Sequence, residues 1–100
     1  MKSPKILIVE DDKYLANAHR VKLTKSGFEV RLAGDGAEAI RTLEKFTPDL
    51  ILLDLGLPDI DGTEVIKAVR EWSQAPIVVL TVRSEDEEVA RVDQLALDLL

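Results

Sequence analysis

The chain has 100 residues, of which 46% are hydrophobic and 32% are charged, and this balance predicts one small globular domain. Its 13 basic and 19 acidic residues give a formal net charge of −6, which argues against direct nucleic-acid binding and against a basic membrane-binding patch. The sequence has no cysteine and one histidine, His19, so disulfide scaffolds, cysteine nucleophiles and His-rich zinc sites are excluded. No segment reads as a secretion signal or a membrane span, and we expect a cytoplasmic protein.

Four short apolar runs predict the strands of a sheet. They are Ile6–Val9, Val30–Ala33, Leu50–Leu53 and Ile77–Leu80. Three of these runs are continuous, as in strands that are buried on both faces of a parallel sheet. The second run alternates charged and apolar residues from Glu29 onwards, which is typical of a half-exposed edge strand.

The intervals between these runs have the apolar periodicity of helices. Their apolar stripes are Leu15, Ala18, His19 and Leu23, then Ala39, Ile40, Leu43 and Phe46, then Val65, Ile66 and Val69. Gly27 and Pro48 are placed to end the first two helices. After the fourth strand, Ser84–Glu87 matches a capping box, and apolar residues from Val89 to Leu99 predict a fourth helix.

Alternating strands and helices predict an α/β fold, an open parallel sheet with helices on both faces, in a single domain over residues 1–100. In such sheets ligands bind beyond the carboxyl ends of the strands. Polar residues follow three of the predicted strands, namely Glu10, Asp11 and Asp12 after the first, Asp54 after the third and Thr81 after the fourth. If the first and third strands are neighbours, the carboxylates converge and a cation must offset their repulsion. Oxygen ligands without histidine or cysteine favour Mg²⁺.

A carboxylate beside Mg²⁺ can attack phosphorus and form an aspartyl phosphate, and a hydroxyl such as that of Thr81 could bind the transferred group. Simpler interpretations stay open for each residue. Acids at strand ends often cap helices, and Asp12 could serve only to cap the first helix. The segment Asp59–Gly62 is equally consistent with an ordinary loop, because it lacks the length and acid spacing of an EF-hand.

Three segments together resemble the receiver domain of bacterial response regulators, most closely the subfamily in which a receiver precedes a winged-helix DNA-binding domain. They are Lys5–Asp12, Asp49–Gly62 and Pro76–Thr81. The resemblance implies a flavodoxin-like fold with strand order 2-1-3-4, corresponding to four of the five strand–helix units of a receiver.

The resemblance also implies functions for individual residues. Asp54 would accept a phosphoryl group from a histidine of a partner sensor histidine kinase, and Thr81 would be the switch hydroxyl. Asp11, Asp54 and the backbone carbonyl of Gly56 would bind Mg²⁺, with Glu10 acting on the metal through water. The protein would be a phosphoacceptor with weak Mg²⁺-dependent self-phosphorylation and autodephosphorylation rather than an enzyme. It would control transcription through an output domain that is not in this chain.

The sequence departs from the family pattern in two respects. It has no match to the fifth strand with its lysine or to the fifth helix, so we expect an incomplete domain, and Val82 stands where a small residue is usual. Without a fifth strand, Ile77–Leu80 becomes a bare apolar edge, which predicts pairing in a homodimer. One alternative is therefore a truncated or pseudo-receiver that acts through dimerisation without phosphorylation. A Mg²⁺-dependent phosphohydrolase is disfavoured, because Gly56 stands where the common enzymes of that kind have a second acid.

Overall fold

A computed structural model describes residues 3–54, 62–82 and 88–92, with side chains for residues 3–53 and 64–79. Its elements are β1 (Lys5–Val9), α1 (Lys13–Lys25), β2 (Glu29–Ala33), α2 (Gly36–Leu43), β3 (Leu50–Asp54), α3 (Gly62–Val69), β4 (Ile77–Val82) and β5 (Glu88–Val92). The strands form one sheet of order β2-β1-β3-β4-β5, in which the first four strands are parallel. This confirms the predicted parallel sheet of order 2-1-3-4, with β2 at its edge.

One face of the sheet is closely packed beneath α2 and α3. Alternate residues of the three central parallel strands are no more than 1% exposed on this face: Leu7, Val9, Ile51, Leu53, Ile77 and Val79. They form one cluster with Ala39, Leu43 and Phe46 from the region of α2 and with Val65, Ile66 and Val69 of α3. The continuous apolar runs of the sequence thus reflect strands with side chains buried on this face and partly or fully covered on the other.

On the opposite face, α1 covers β1, whereas the side chains of β3 and β4 are only partly covered. Ile6 and Ile8 are buried there, and α1 contacts both β1 and β2. Leu50, Leu52 and Val78 belong to the same face by register and are only half-buried. The cover of this face is therefore incomplete over β3 and β4.

Helix α1 ends where the sequence predicts. Its C-cap is Ser26, and Gly27 follows with φ of +98°, a conformation that favours glycine at the end of a helix. The predicted apolar stripe needs one correction, because Ala18 is exposed and Ala16 is buried. At about 100° per residue, Ala16 falls about 20° from Leu23 at one border of the stripe, whereas Ala18 falls about 60° beyond Leu15 at the other. Within the described ranges, no helix combines the length and apolar character that a membrane span requires.

The fourth helix predicted from Ser84 to Leu99 is wrong for residues 88–92. Glu88–Val92 forms β5, which pairs antiparallel with β4. The expectation of a sheet without a fifth strand, and with β4 as a bare edge, is therefore also corrected. An unpaired β4 would present a row of N–H and C=O groups, and pairing with the following segment satisfies them. This gain, with the β-branched Val89 and Val92, outweighs the helical pattern.

The connection from α3 to β4 is fixed by an arginine. Arg70 donates hydrogen bonds from Nη1 to the carbonyl oxygens of Ser73 at 3.0 Å and Ala75 at 2.7 Å. Burial lowers the pKa of the Arg70 guanidinium from its usual value, and the group keeps its charge at neutral pH. The turn therefore delivers Pro76 and the following strand to β3, where the Pro76 carbonyl accepts from Ile51 N at 2.9 Å.

The two faces of the sheet should differ in their contribution to stability. We expect Leu7→Ala to lower the free energy of unfolding by about 3–5 kcal/mol, because the cavity it leaves is fully enclosed. Leu52→Ala removes the same atoms from a half-buried position and should cost less than half as much. Urea denaturation of the two variants measures the difference. Equal losses would contradict the incomplete cover over β3.

Candidate functional site

The register of the parallel strands brings the predicted site residues to one edge of the sheet. Val9 pairs with Leu53, so the next residues, Glu10 and Asp54, stand at the same level on neighbouring strands. Backbones of neighbouring strands lie about 4.8 Å apart. The condition that the first and third strands are neighbours, on which the convergence of carboxylates depended, is therefore met.

The fourth strand reaches the same edge. Asp54 pairs with Leu80, and Thr81 is one residue farther along β4. Thr81 lies within β4, which continues to Val82, rather than after the strand as its sequence position suggested. The side chains of Asp54 and Thr81 and the whole of Gly56 lie outside the described residues, so their functions stay predictions.

Glu10 is a buried acid that is held by both its backbone and its side chain. The residue is 7% exposed. Its N–H donates to the carbonyl oxygen of Ala33 in β2 at 2.9 Å, and its Oε2 accepts from Asp12 N at 3.2 Å. A buried carboxylate is tolerated where hydrogen bonds compensate its lost hydration, and these contacts fix its position between β2 and the start of α1.

Asp11, like Asp12 and unlike the buried Glu10, has an exposed side chain. Among the residues that the structure describes, no hydrogen bond or ion pair engages its carboxylate. No group of three possible metal ligands occurs among the described side chains either. Glu10 and Asp11 are thus two adjacent oxygen donors at the sheet edge, beside the backbone of Asp54.

Asp12 is the N-cap of α1. Its Oδ1 accepts from Tyr14 N at 3.0 Å and from Leu15 N at 3.1 Å, which satisfies two of the free N–H groups of the first turn. The interpretation of Asp12 as a helix cap is therefore confirmed, and its carboxylate is directed to α1.

A second acidic motif at this edge of the sheet was missed from the sequence. Asp35 is the N-cap of α2, and its Oδ1 accepts from Glu38 N at 2.8 Å. Glu38 reaches back, and its Oε1 accepts from Gly34 N at 2.5 Å. The Asp-x-x-Glu spacing is a variant of the capping box and could have revealed it. Glu38 lines a groove with Glu10 and Lys13, so the motif borders the candidate site.

Residues 6–99 match the profile described as the response regulator receiver domain. The chain belongs to this family. Its members are the receiver domains of two-component response regulators, in agreement with the resemblance found in the sequence.

Individual relatives of this receiver domain include transcriptional regulators. It is 37% identical over 83 residues to the transcriptional regulatory protein KdpE of Mycobacterium tuberculosis, covering 83% of this chain and 37% of that protein. It is 41% identical to the transcriptional regulatory protein PrrA of the same species, covering 98% of this chain and 43% of that protein. The chain thus spans about two-fifths of the length of these relatives.

A solved structure gives a similar result for the fold. The response regulator TrrA from Thermotoga maritima, in complex with Mg²⁺ and BeF, superposes with a TM-score of 0.73 and 33% identity. The match covers 84% of this receiver domain and 72% of that chain. The Mg²⁺ and BeF are ligands of that relative.

Proposed function

We propose that this receiver domain accepts a phosphoryl group on Asp54 from a phosphorylated histidine of a sensor histidine kinase, with Mg²⁺ as cofactor. The single observation that supports this most is the backbone register, in which Asp54 stands level with Glu10 at the carboxyl edge of the sheet. The acidic residues of two adjacent strands therefore share one edge, where a phosphoryl group and a cation can be held together.

The donor set fits a hard cation. Glu10 and Asp11 supply only carboxylate oxygens, and the single histidine of the chain, His19, is on α1. Asp11, Asp54 and the backbone carbonyl of Gly56 would bind Mg²⁺ directly, and Glu10 would bind it through water. The metal supplies positive charge that offsets the negative charge of the phosphoryl oxygens.

The transfer uses the Asp54 carboxylate as nucleophile. Its oxygen forms a bond to phosphorus as the P–N bond of the phosphohistidine breaks, and the departing imidazole nitrogen keeps the electron pair and takes up a proton. Thr81, one residue beyond the strand partner of Asp54, is proposed to donate its hydroxyl to the transferred group. The domain is thus a phosphoacceptor with weak self-phosphorylation and autodephosphorylation, and not an enzyme with a separate substrate.

Replacing the phosphoacceptor should abolish phosphorylation. Incubation of the 100-residue chain with acetyl phosphate and Mg²⁺ should add one phosphoryl group to the unaltered protein and none to Asp54→Asn, because the amide is not a nucleophile. Intact mass spectrometry measures the gain. Asp49→Asn is the matched control, since Asp49 precedes β3 at the opposite end of the sheet, where its Oδ2 accepts from Lys5 N.

Two outcomes of this experiment would contradict the proposal. A phosphoryl gain in Asp54→Asn would place the acceptor elsewhere. No gain in the unaltered protein would instead favour the pseudo-receiver that acts without phosphorylation.

Substitutions of the neighbouring acids Asp11 and Asp12 should have different effects, one on metal binding and the other on helix capping. We expect Asp11→Ala to abolish most of the Mg²⁺ affinity and to change the free energy of unfolding by less than about 0.5 kcal/mol, because its carboxylate is exposed. Asp12→Ala should leave Mg²⁺ binding almost unchanged and lower the unfolding free energy by about 1 kcal/mol, because two first-turn N–H groups lose their acceptor. Calorimetric titration with Mg²⁺ and urea denaturation measure the two quantities. Equal losses of affinity would refute the distinction.

We also propose that phosphorylation of this domain controls transcription. The support is the similarity to KdpE and PrrA, which are named as transcriptional regulatory proteins and are more than twice as long as the part matched here. Because bacterial transcription takes place in the cytoplasm, the proposed location is cytoplasmic. The net charge of −6 supports a chain that does not itself bind nucleic acid or a membrane surface.

We further propose a homodimer that forms through the half-buried apolar face of β3 and β4. Pairing with β5 removes the bare edge of β4 as a reason for association, but Leu50, Leu52 and Val78 leave a half-buried apolar face beside it. Burial of such residues between two copies would offset part of the entropy of association.

Size exclusion with light scattering at tens of micromolar should give about twice the chain mass of 11.1 kDa, and Leu52→Ser should lower that value. A folded monomer would refute the dimer.

A further inference from the structure

A single peptide unit links the capping box of α2 to the acidic residues after β1. The peptide between Ala33 and Gly34 is hydrogen-bonded on both sides. Its carbonyl oxygen, on Ala33, accepts from Glu10 N at 2.9 Å, and its N–H, on Gly34, donates to Glu38 Oε1 at 2.5 Å. Because a peptide unit is planar and rigid, the bond to Glu38 also fixes the direction of the carbonyl that holds Glu10.

Glu38 is itself held in place at the start of a helix. It lies in the first turn of α2, and its backbone N–H donates to Asp35 Oδ1 at 2.8 Å. The side chain therefore extends from a fixed point of the backbone to Gly34. A bond between a carboxylate and a backbone N–H is stronger than one between neutral groups, so this contact orders the segment that joins β2 to α2.

The linkage continues from the Glu10 backbone to the edge of the sheet. Glu10 leads directly into Asp11, and its own carboxylate accepts from Asp12 N at 3.2 Å. The direction of the chain at Glu10 therefore decides where the carboxylates of Glu10 and Asp11 stand relative to β3. A displacement of the Ala33 carbonyl would be transmitted to both.

We propose that Glu38 is a positioning residue for the Mg²⁺ site, acting through the Ala33–Gly34 peptide on the backbone of Glu10. This inference rests on the proposed function, because it assumes that Glu10 and Asp11 serve the metal. Glu38 does not bind the metal in this scheme. Its contribution is to hold the carboxylates of Glu10 and Asp11, already in the metal-free protein, in the geometry that Mg²⁺ binding requires. Residues that hydrogen-bond to metal ligands have this effect in other sites.

The positioning effect can be separated from the charge of Glu38. Glu38 borders the same groove as Glu10 and Lys13, so its negative charge could also attract a cation directly. Glu38→Gln removes the charge and keeps an acceptor oxygen at the same reach. Glu38→Asp keeps the charge but is shorter by one carbon–carbon bond and withdraws the acceptor from Gly34 N.

The test is the Mg²⁺ dissociation constant of these variants, measured by calorimetry on the 100-residue chain. We expect Glu38→Asp and Glu38→Ala to weaken binding about tenfold, the lower end of the effect of removing an outer partner of a metal site. Glu38→Gln, whose neutral amide makes a weaker bond to Gly34 N, should bind Mg²⁺ less tightly than the unaltered protein but more tightly than Glu38→Asp and Glu38→Ala. Glu44→Ala is the matched control, because Glu44 is an exposed acid at the other end of the same helix.

A second measurement does not depend on the metal. Without Mg²⁺, amide hydrogen exchange at Gly34 and at Glu10 should be faster in Glu38→Asp and Glu38→Ala than in Glu38→Gln. A loss of helix capping alone would accelerate exchange in the first turn of α2 without reaching Glu10. This readout, together with the partial rescue by glutamine, distinguishes positioning from a general loss of stability.

Each contrary outcome has a definite meaning. If Glu38→Gln weakens binding and Glu38→Asp does not, the effect is one of charge and the positioning role is overturned. If all three variants bind Mg²⁺ as the unaltered protein does, Glu38 has no part in the site, while the proposed function stands. If the unaltered protein binds no Mg²⁺, both the inference and the proposed metal site fall together.

Discussion

The parallel pairing of β1 with β3 is the constraint on which the arrangement of the site depends. The register that joins Val9 to Leu53 sets Glu10 level with Asp54, although 44 positions of sequence separate them. Side chains buried beneath α2 and α3 hold this register, because a slip by one residue would turn the apolar side chains of a strand to the opposite face. The same strand register therefore determines both the packing of the core and the geometry of the acidic edge.

The three consecutive acids after β1 have different surroundings. Glu10 is buried and hydrogen-bonded, Asp11 is exposed without a partner among the described residues, and Asp12 caps α1. Of these three carboxylates, that of Asp12 caps the helix, and those of Glu10 and Asp11 are the ones proposed to serve the metal. The N-cap of α1 and the capping box of α2 both lie at the edge of the sheet where the candidate site is, because both helices begin there.

At the other side of the sheet, the backbone of β4 also needs a neighbouring strand. A strand with apolar residues and unpaired backbone groups at an edge must find a partner, and β4 finds it in β5. The sequence predicts the need for a partner, but that partner is β5 of the same chain and not a second copy. The half-buried Leu50, Leu52 and Val78 indicate that pairing satisfies the backbone of this region and leaves part of its apolar face to be covered.

The sequence by itself determined the parallel strands, the three helices that connect them, the end of α1 at Gly27 and the acidic residues at the carboxyl ends, because apolar periodicity and turn chemistry are local properties. It left open whether Asp12 is a helix cap or a metal ligand, and it wrongly predicted a helix for Glu88–Val92. It did not reveal the link from Glu38 to Glu10. Each depends on which backbone groups remain unpaired once helices and sheet have formed, and only the three-dimensional structure shows that. Hydrogen bonds between distant segments follow from packing and have no local signature in the sequence.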